Sequence, residues 1–342
     1  MLSDIRVTFS PHISKPLSTR VVMIDVLIGM VPMLAAAIYF YRKYALVLIP
    51  VCVVSCVVTE RLCNLIRRQP SSLGDFSAVV TGIILAFSVP PTLPVWAAVV
   101  GSAFAITIGK MVFGGLGSNI FNPAMVGRAF MMASLGTLMA TWTVPATVDP
   151  DMSRIRPDNF IMEDSVHGRT QATPLAWSKM AIKDELGAED YSKNQLKVAA
   201  VGEVGGCLGE TSALAVLIGG IYLLVRRSIG LHIPLAMILS ASIFSGIAYM
   251  INSDAYVPPW FHLSSGALLF GAFFIATDPV TAPLTRRGMW IFGAGVGALT
   301  MLIRIVGEYP EGLMFAILLM NSVTPLIDRL CRRVPVGGKP NG

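Results

Sequence analysis

Charge is what this sequence has least of. Of its 342 residues, 13% are Asp, Glu, Lys or Arg and 54% are hydrophobic, with a mean hydropathy of +0.68. Soluble domains carry about 25% charged residues. Half that supply cannot cover a water-facing surface, so the chain reads as an integral membrane protein. The same figures exclude a disordered chain, a collagen-like repeat and a coiled coil. Net charge is +6, but the basic residues sit between apolar runs and form no continuous stripe. That is the pattern of membrane topology rather than of nucleic-acid binding. The five cysteines (Cys52, Cys56, Cys63, Cys207 and Cys331) make no CxxC or CxxCH, which removes zinc ribbons and covalent haem. Cys52, Cys56 and Cys63 share one stripe of an apolar helix, where a thiol behaves as a small hydrophobe. No nucleophile–base pair and no metal cluster is evident. The first 20 residues hold Pro11, Lys15, Pro16 and Arg20 without an apolar run ending in a cleavage site, so no cleavable signal peptide is expected.

Long apolar runs are what the chain has in abundance. A helix needs about 20 apolar residues to cross a bilayer. Runs near 21–41, 44–66, 77–93, 95–113 and 121–142, then 205–225, 229–251, 262–277, 289–308 and 310–327, predict an all-α integral membrane protein of about ten spans. Arg61, Arg67 and Arg68, then Arg226 and Arg227, Arg286 and Arg287, and the tail from Arg329 to Lys339 all fall on one side. Only Arg42 and Lys43 fall in short loops on the other. The positive-inside rule then places both termini in the cytoplasm. This predicts a cytoplasmic N-terminus (1–20), a five-helix block (21–142), an extracytoplasmic loop (143–204), a second five-helix block (205–327) and a basic cytoplasmic tail (328–342).

The two blocks echo each other. Val26-Leu27-Ile28-Gly29 answers Val216-Leu217-Ile218-Gly219, and Ile49-Pro50 answers Ile233-Pro234. The third spans both run into prolines, Ser88-Val89-Pro90-Pro91 against Thr277-Asp278-Pro279. The fourth both end on a basic residue before glycine, Lys110 and Arg304. Asn122-Pro123 and the Asn321 to Pro325 stretch are a looser match. Five spans is an odd number, so the second copy runs in the opposite direction. Inverted repeats with broken helices place their functional site at the repeat interface.

Ionisable groups in lipid are costly, about 2.5–3.5 kcal/mol each at a helix centre. Glu60, Arg128 and Glu308 lie near span ends, from where a side chain can reach the interface. Asp25, Lys110, Asp278 and Arg304 do not, and stand as candidates for ion coupling or for salt bridges between the repeats; Glu210 lies at the edge of its span. Gly114-Gly115-Leu116-Gly117-Ser118-Asn119-Ile120-Phe121-Asn122-Pro123 resembles a ligand cradle. Its glycines admit close backbone approach, Asn119 and Asn122 offer amides, and Pro123 suits a first helical turn.

Within the long loop, Thr170-Gln171-Ala172-Thr173-Pro174-Leu175 resembles the [S/T]-x-A-T flavinylation motif of the D subunits of Rnf electron-transport complexes. The B subunits of sodium-pumping NADH:quinone reductases are their relatives. Phe113 to Asn119 with Phe121 to Ala124, Gly209 to Ala215, Gly271 to Thr281, and Arg304 before Tyr309-Pro310-Glu311-Gly312 are similar to further signatures of that family. The resemblance covers essentially the whole chain. It implies FMN bound through a phosphoester to Thr173, with Thr170, Gln171 and Ala172 read by a flavin transferase. His167-Gly168 stands where the family commonly has Asp-Gly. It also implies a non-covalent riboflavin beside Asn119, Asn122 and Gly115. The implied setting is a bacterial inner-membrane complex of several Rnf subunits, one of them a second covalent-FMN protein, passing electrons between ferredoxin and NAD while moving Na⁺ or H⁺. The absence of a long hydrophilic N-terminal extension favours the Rnf subunit over its quinone-reductase relative. Without the loop motif, a solute channel or secondary transporter would be the leading class, and a purely structural subunit is a third.

Overall fold

The structure is a computed structural model that describes residues 18–141, 175, 206–210, 212–253, 256–307 and 311–331. Those residues form helices and no strands, and the chain is a multi-pass membrane protein. Helix α1 (Thr19–Tyr41) starts where the Ser18 side chain accepts from the backbone N–H of Val21. After Arg42, held at φ 46°, α2 (Lys43–Ile66) follows. Pro32 and Pro50 lie inside these two helices, as membrane helices tolerate. Helix α3 (Ser77–Phe87) is short, because Pro90 and Pro91 lack the N–H donors that would continue it. Helix α4 (Val95–Ile106) widens into a π turn, Thr107–Met111. Helix α5 (Pro123–Ser134) has Asn122 as its N-cap and Pro123 in its first turn; a single further turn, α6 (Gly136–Met139), follows it.

The later part of the chain is also helical. Ser212 caps α7 (Ala213–Val225), and α8 (His232–Ile251) runs its full length. Next comes a broken element: α9 (Pro259–Ser264), an irregular step with Gly266 at φ 74°, then α10 (Leu268–Phe270) merging into a second π turn, Gly271–Ile275. Thr285 caps α11 (Arg286–Ile305), and α12 (Leu313–Leu330) ends the described chain.

Five helices (α1, α2, α8, α11 and α12) are long and apolar enough to cross a membrane. The expected spans 77–93, 205–225 and 262–277 are not continuous helices, and neither is 121–142, which stops at Ser134 and resumes for a single turn at Gly136. Prolines cut the first, the second begins only at the Ser212 cap, and the left-handed Gly266 interrupts the third. Hydropathy counts apolar residues and does not register where the backbone leaves the helix.

Packing follows matching patterns in the two blocks. In the first, α2 packs on α3 and α4, and α4 packs on α5; in the second, α8 packs on α9 and α11, and α11 on α12. Helices α1 and α7 join the blocks, as do α5 and α12. The α1–α7 crossing depends on two glycines. A Cβ on Gly219 would lie 2.0 Å from the carbonyl oxygen of Gly29, the close backbone approach that small residues permit between membrane helices. Large apolar side chains such as Val31, Leu46, Val54, Ile218 and Ile243 face outward, where lipid rather than water suits them.

Candidate functional site

A narrow cleft lies where the two blocks meet. Helix α1 supplies Met23 and Val26, α3 supplies Ser77, Val80 and Ile84, and the second π turn supplies Phe273 and Phe274. Its polar wall is made of Lys110, Asn119, Asn122, Ser228, Thr277 and Asp278. Mostly apolar walls with a few placed polar groups are typical of small-molecule sites. Both π turns reach this cleft, and π turns within α-helices concentrate at functional sites.

Local geometry explains how each polar group is held. Gly114, Gly115 and Gly117 all have positive φ (121°, 113° and 96°), a conformation glycine adopts without steric cost. The loop they form is tied by Asn119, whose Oδ1 accepts from Gly117 N at 3.3 Å and whose Nδ2 donates to Phe121 O at 3.1 Å. Asn122 spends its Oδ1 on the first turn of α5, accepting from Ala124 N (3.1 Å) and Met125 N (3.3 Å). Its Nδ2 has no hydrogen-bond partner among the described residues. The glycines thus give the loop its open backbone, whereas the two asparagines shape the loop as much as they face the cleft.

Lys110 is 1% exposed, and two of its three N–H donors have partners. It donates to Glu60 Oε2 at 2.7 Å and to Ser77 Oγ at 2.6 Å. Glu60 also accepts from the Ser72 hydroxyl, and Asn64 donates to Ser72 at 2.8 Å. Asn64, Ser72, Asp75, Gly114 and Gly115 line a second, wider cavity, so the Lys110–Glu60 pair stands between two spaces. Glu60 was expected to reach the interface from a span end. It is instead wholly buried, because the chain after α2 folds back and closes over it. Asp278 accepts from Val280 N (3.3 Å) and from the Thr281 hydroxyl (3.2 Å). It has no ion-pair partner among the described residues, which leaves it the cleft's unneutralised carboxylate.

Asp25 sits just behind the cleft wall. It accepts from Arg226 Nε at 3.2 Å and from the Ser228 hydroxyl at 2.6 Å, which ties α1 to the turn after α7. It is thus a salt bridge between the blocks, the other reading its sequence position allowed. Arg304 lies elsewhere. It donates to His262 O (2.7 Å), to Ser265 O (3.3 Å) and to both oxygens of Glu311 (3.2 and 3.0 Å). Leu175 packs beside it with Val257 and Phe261. Arg128 was also expected to reach the interface, but it is 5% exposed and lies 3.9 Å from Glu210, because residues 206–210 cover it.

The structure therefore brings Asn119, Asn122, Lys110 and Asp278 to one cleft, and places Gly115 in the adjoining cavity. Arg304 belongs to a separate cluster. Thr170, Gln171, Ala172 and Thr173 lie outside the described residues, as does Glu308. Sequence reasoning missed Ser77, Phe273 and Phe274, which look like ordinary core residues, and Glu311. Its signal was there, an acidic residue seven positions after Arg304. Cys52 and Cys56 are buried and free, as small apolar residues would be.

Comparison with known proteins gives a consistent result. A family described as NQR2, RnfD, RnfE matches residues 6–337. The D subunit of the Na(+)-translocating ferredoxin:NAD(+) oxidoreductase complex of Acetobacterium woodii is 41% identical over 330 residues, covering 96% of this chain and 94% of that protein. The D subunit of the ion-translocating oxidoreductase complex of Actinobacillus succinogenes is 37% identical over 354 residues, covering 98% and 99%. A protein of the same name from Salmonella typhimurium is 36% identical over 343 residues, covering 96% and 97%.

Proposed function

The chain belongs to the NQR2, RnfD, RnfE family, and from that premise we propose that it is the membrane D subunit of an ion-translocating ferredoxin:NAD⁺ oxidoreductase, carrying electrons on bound flavin. The near full-length match to D subunits favours this over the quinone-reductase B subunit. In this reading Thr173 carries FMN through a phosphoester. Pro174 biases Thr173 toward an extended backbone that a transferase can reach. The loop faces the extracytoplasmic side of a bacterial inner membrane, both termini are cytoplasmic, and the two five-helix blocks are inverted copies. Partners are the other subunits of the complex, including a second covalent-FMN protein, and a flavin transferase during maturation.

The observation that carries the second half of the reading is the cleft. Phe273 and Phe274 offer flat apolar contact, and Asn119, Asn122, Thr277 and Lys110 supply a polar edge. These residues fit a non-covalent riboflavin. A bound flavin would supply one- and two-electron chemistry, while the protein supplies position and electrostatics. Lys110, fixed by Glu60 and Ser77, holds positive charge against the ligand's ring system. Asn122 directs its amide at the cleft without loosening α5, since the cap uses only its oxygen. The unneutralised Asp278 is the coupling carboxylate. A mobile Na⁺ or H⁺ beside it would respond to charge gained in the cleft.

The test is in-gel fluorescence of the denatured chain, produced together with a flavin transferase. The wild type should fluoresce and Thr173→Ala should not. A dark wild-type band, with the transferase shown active on another substrate, refutes the covalent relay and returns the broken helices to a permeation pathway.

A further inference from the structure

The cleft and the wider cavity lie back to back. Leu116 lines both, and beside it an unbroken run of hydrogen bonds crosses from one space to the other. At the cavity, Asn64 Nδ2 donates to Ser72 Oγ at 2.8 Å, and the Ser72 hydroxyl donates to Glu60 Oε1. Glu60 Oε2 accepts from Lys110 Nζ at 2.7 Å, and Lys110 Nζ also donates to Ser77 Oγ at 2.6 Å. The Ser77 hydroxyl in turn donates to Asp75 Oδ1 at 2.5 Å. Lys110 and Ser77 line the cleft, whereas Ser72 and Asp75 line the cavity.

Stability does not account for this arrangement. Replacing a buried ion pair with apolar side chains is often neutral or even stabilising, yet Glu60 and Lys110 are 0% and 1% exposed. Ionisable side chains inside membrane proteins mark ion pathways and proton relays, and charge separates those two uses here. A metal cation passing from the cavity to the cleft would have to pass the Lys110 ammonium, which repels it. A proton is handed from atom to atom and needs only donors and acceptors that are already aligned.

Both ends of the run are suited to that. The cavity holds about 560 Å³, and a water needs only about 10–15 Å³ of such space. At the cleft, the third Lys110 N–H has no partner among the described residues and is free for a ligand. The other charged side chains around the run are Asp75, Arg67, whose Nη1 donates to Met111 O at 3.1 Å, and Asp278, which shares the cleft lining with Lys110.

We propose that Ser72, Glu60 and Lys110 form a proton relay from the outer cavity to the flavin of the cleft. The inference rests on the reading above that a non-covalent flavin occupies the cleft. As electrons from a neighbouring redox subunit reach that flavin, an N–H bond of Lys110 breaks and its proton joins a basic atom of the ligand's ring. A proton from cavity water joins the Ser72 oxygen, and the hydrogen Ser72 already carried passes to Glu60 Oε1. The carboxyl group turns and gives that proton to the Lys110 amine. Glu60 ends as a carboxylate and Lys110 as an ammonium, so the pair is restored and one proton has crossed.

The test uses the full-length chain produced without a flavin transferase, so that any flavin it holds is non-covalent. Reduced methyl viologen, which gives up an electron and no proton, is mixed with it in a stopped-flow spectrometer beside a pH-indicator dye. The wild type should take up protons as the flavin bleaches, and more slowly in D₂O. Lys110→Arg keeps the positive charge, but a guanidinium does not give up its proton. It should retain flavin and take up protons about a hundredfold more slowly, the scale of a lost general acid. Ser72→Val leaves the ion pair in place and fills the hydroxyl's position with methyl groups, and should slow uptake as well. A wild-type rate in either flavin-loaded variant overturns the proposal. Should Lys110→Arg lose its flavin, Ser72→Val decides alone. A flavin-loaded wild type that takes up no proton overturns it without any variant. Flavin released by heating reads the functional premise separately: flavin present without proton uptake sinks only this inference, and a wild type with no flavin to release sinks both.

Discussion

Replacing Lys110 with methionine removes one charge from a pair that water does not reach. Glu60 and Lys110 are 0% and 1% exposed and 2.7 Å apart. With the ammonium gone, the Glu60 carboxylate keeps only the Ser72 hydroxyl, and Ser77 loses a donor. Breaking a buried pair in this way costs about 3–5 kcal/mol, whereas replacing both partners with neutral groups of similar shape is often nearly neutral. Lys110→Met and Glu60→Gln should therefore each be strongly destabilising, and the double variant should be more stable than the sum of the two predicts. The coupling should reach about 2–3 kcal/mol, the upper part of the range for contacting residues. The assay is unfolding in mixed micelles, followed by circular dichroism across a denaturing-detergent series, on all four proteins of the cycle. Retained non-covalent flavin should fall in Lys110→Met and in the double variant, because the cleft loses its positive wall in both. Additive losses within about 0.5 kcal/mol would show that the two groups do not rely on each other, and the description of the cleft wall would then be wrong.

Asn122 separates structure from ligand contact. Asn122→Ala removes the cap and should cost about 0.5–2 kcal/mol of stability. Asn122→Asp keeps a capping oxygen and should unfold like the wild type while retaining less non-covalent flavin; equal flavin content in both proteins would remove Asn122 from the ligand site. Gly219→Ala places a methyl 2.0 Å from Gly29 O, so α1 and α7 must separate. A loss of about 1–3 kcal/mol should appear as a lower unfolding midpoint and polydisperse chromatography, and a wild-type midpoint would refute the close crossing. Asp278→Asn should lower ion transport in proteoliposomes more than electron transfer, and unchanged rates for both would end its coupling role.

The polar half of the cleft was legible in the sequence for a simple reason. Lys110 and Asp278 are charged residues in apolar surroundings, and three glycines with two asparagines cannot form a lipid-facing helix. The apolar half was not legible, since Phe273 and Phe274 differ in no local respect from the phenylalanines of the core. Glu60 and Arg128 were misread for a shared reason. Distance from a span end predicts exposure only if nothing folds back over that end. Residues 72–77 cover Glu60 and residues 206–210 cover Arg128, and both covering segments are irregular. Breaks in the helices also shortened α3 at its prolines, delayed α7 to the Ser212 cap and split α9 from α10 at Gly266, so the errors in the fold and the errors at the site are of one kind.

That source also explains why two similar blocks support two different centres. Lys110 and Arg304 occupy matching places, each near the end of its block's fourth helix and each buried. Their acids come from different elements: Glu60 lies on the second helix of its block, and Glu311 in the turn before the fifth. A partner on the second helix holds Lys110 against α3 and leaves the space beside Asn122 and Asp278 open as a cleft. A partner next to the fifth helix holds Arg304 toward the break at Ser265 and Gly266, where Leu175 closes the space. Had the acids matched as the bases do, the fold would present two equivalent clefts. Because they do not, one end keeps an apolar-walled cleft between the blocks, and the other is closed around the Arg304–Glu311 pair. The difference between the blocks, rather than their likeness, decides which end keeps a cleft.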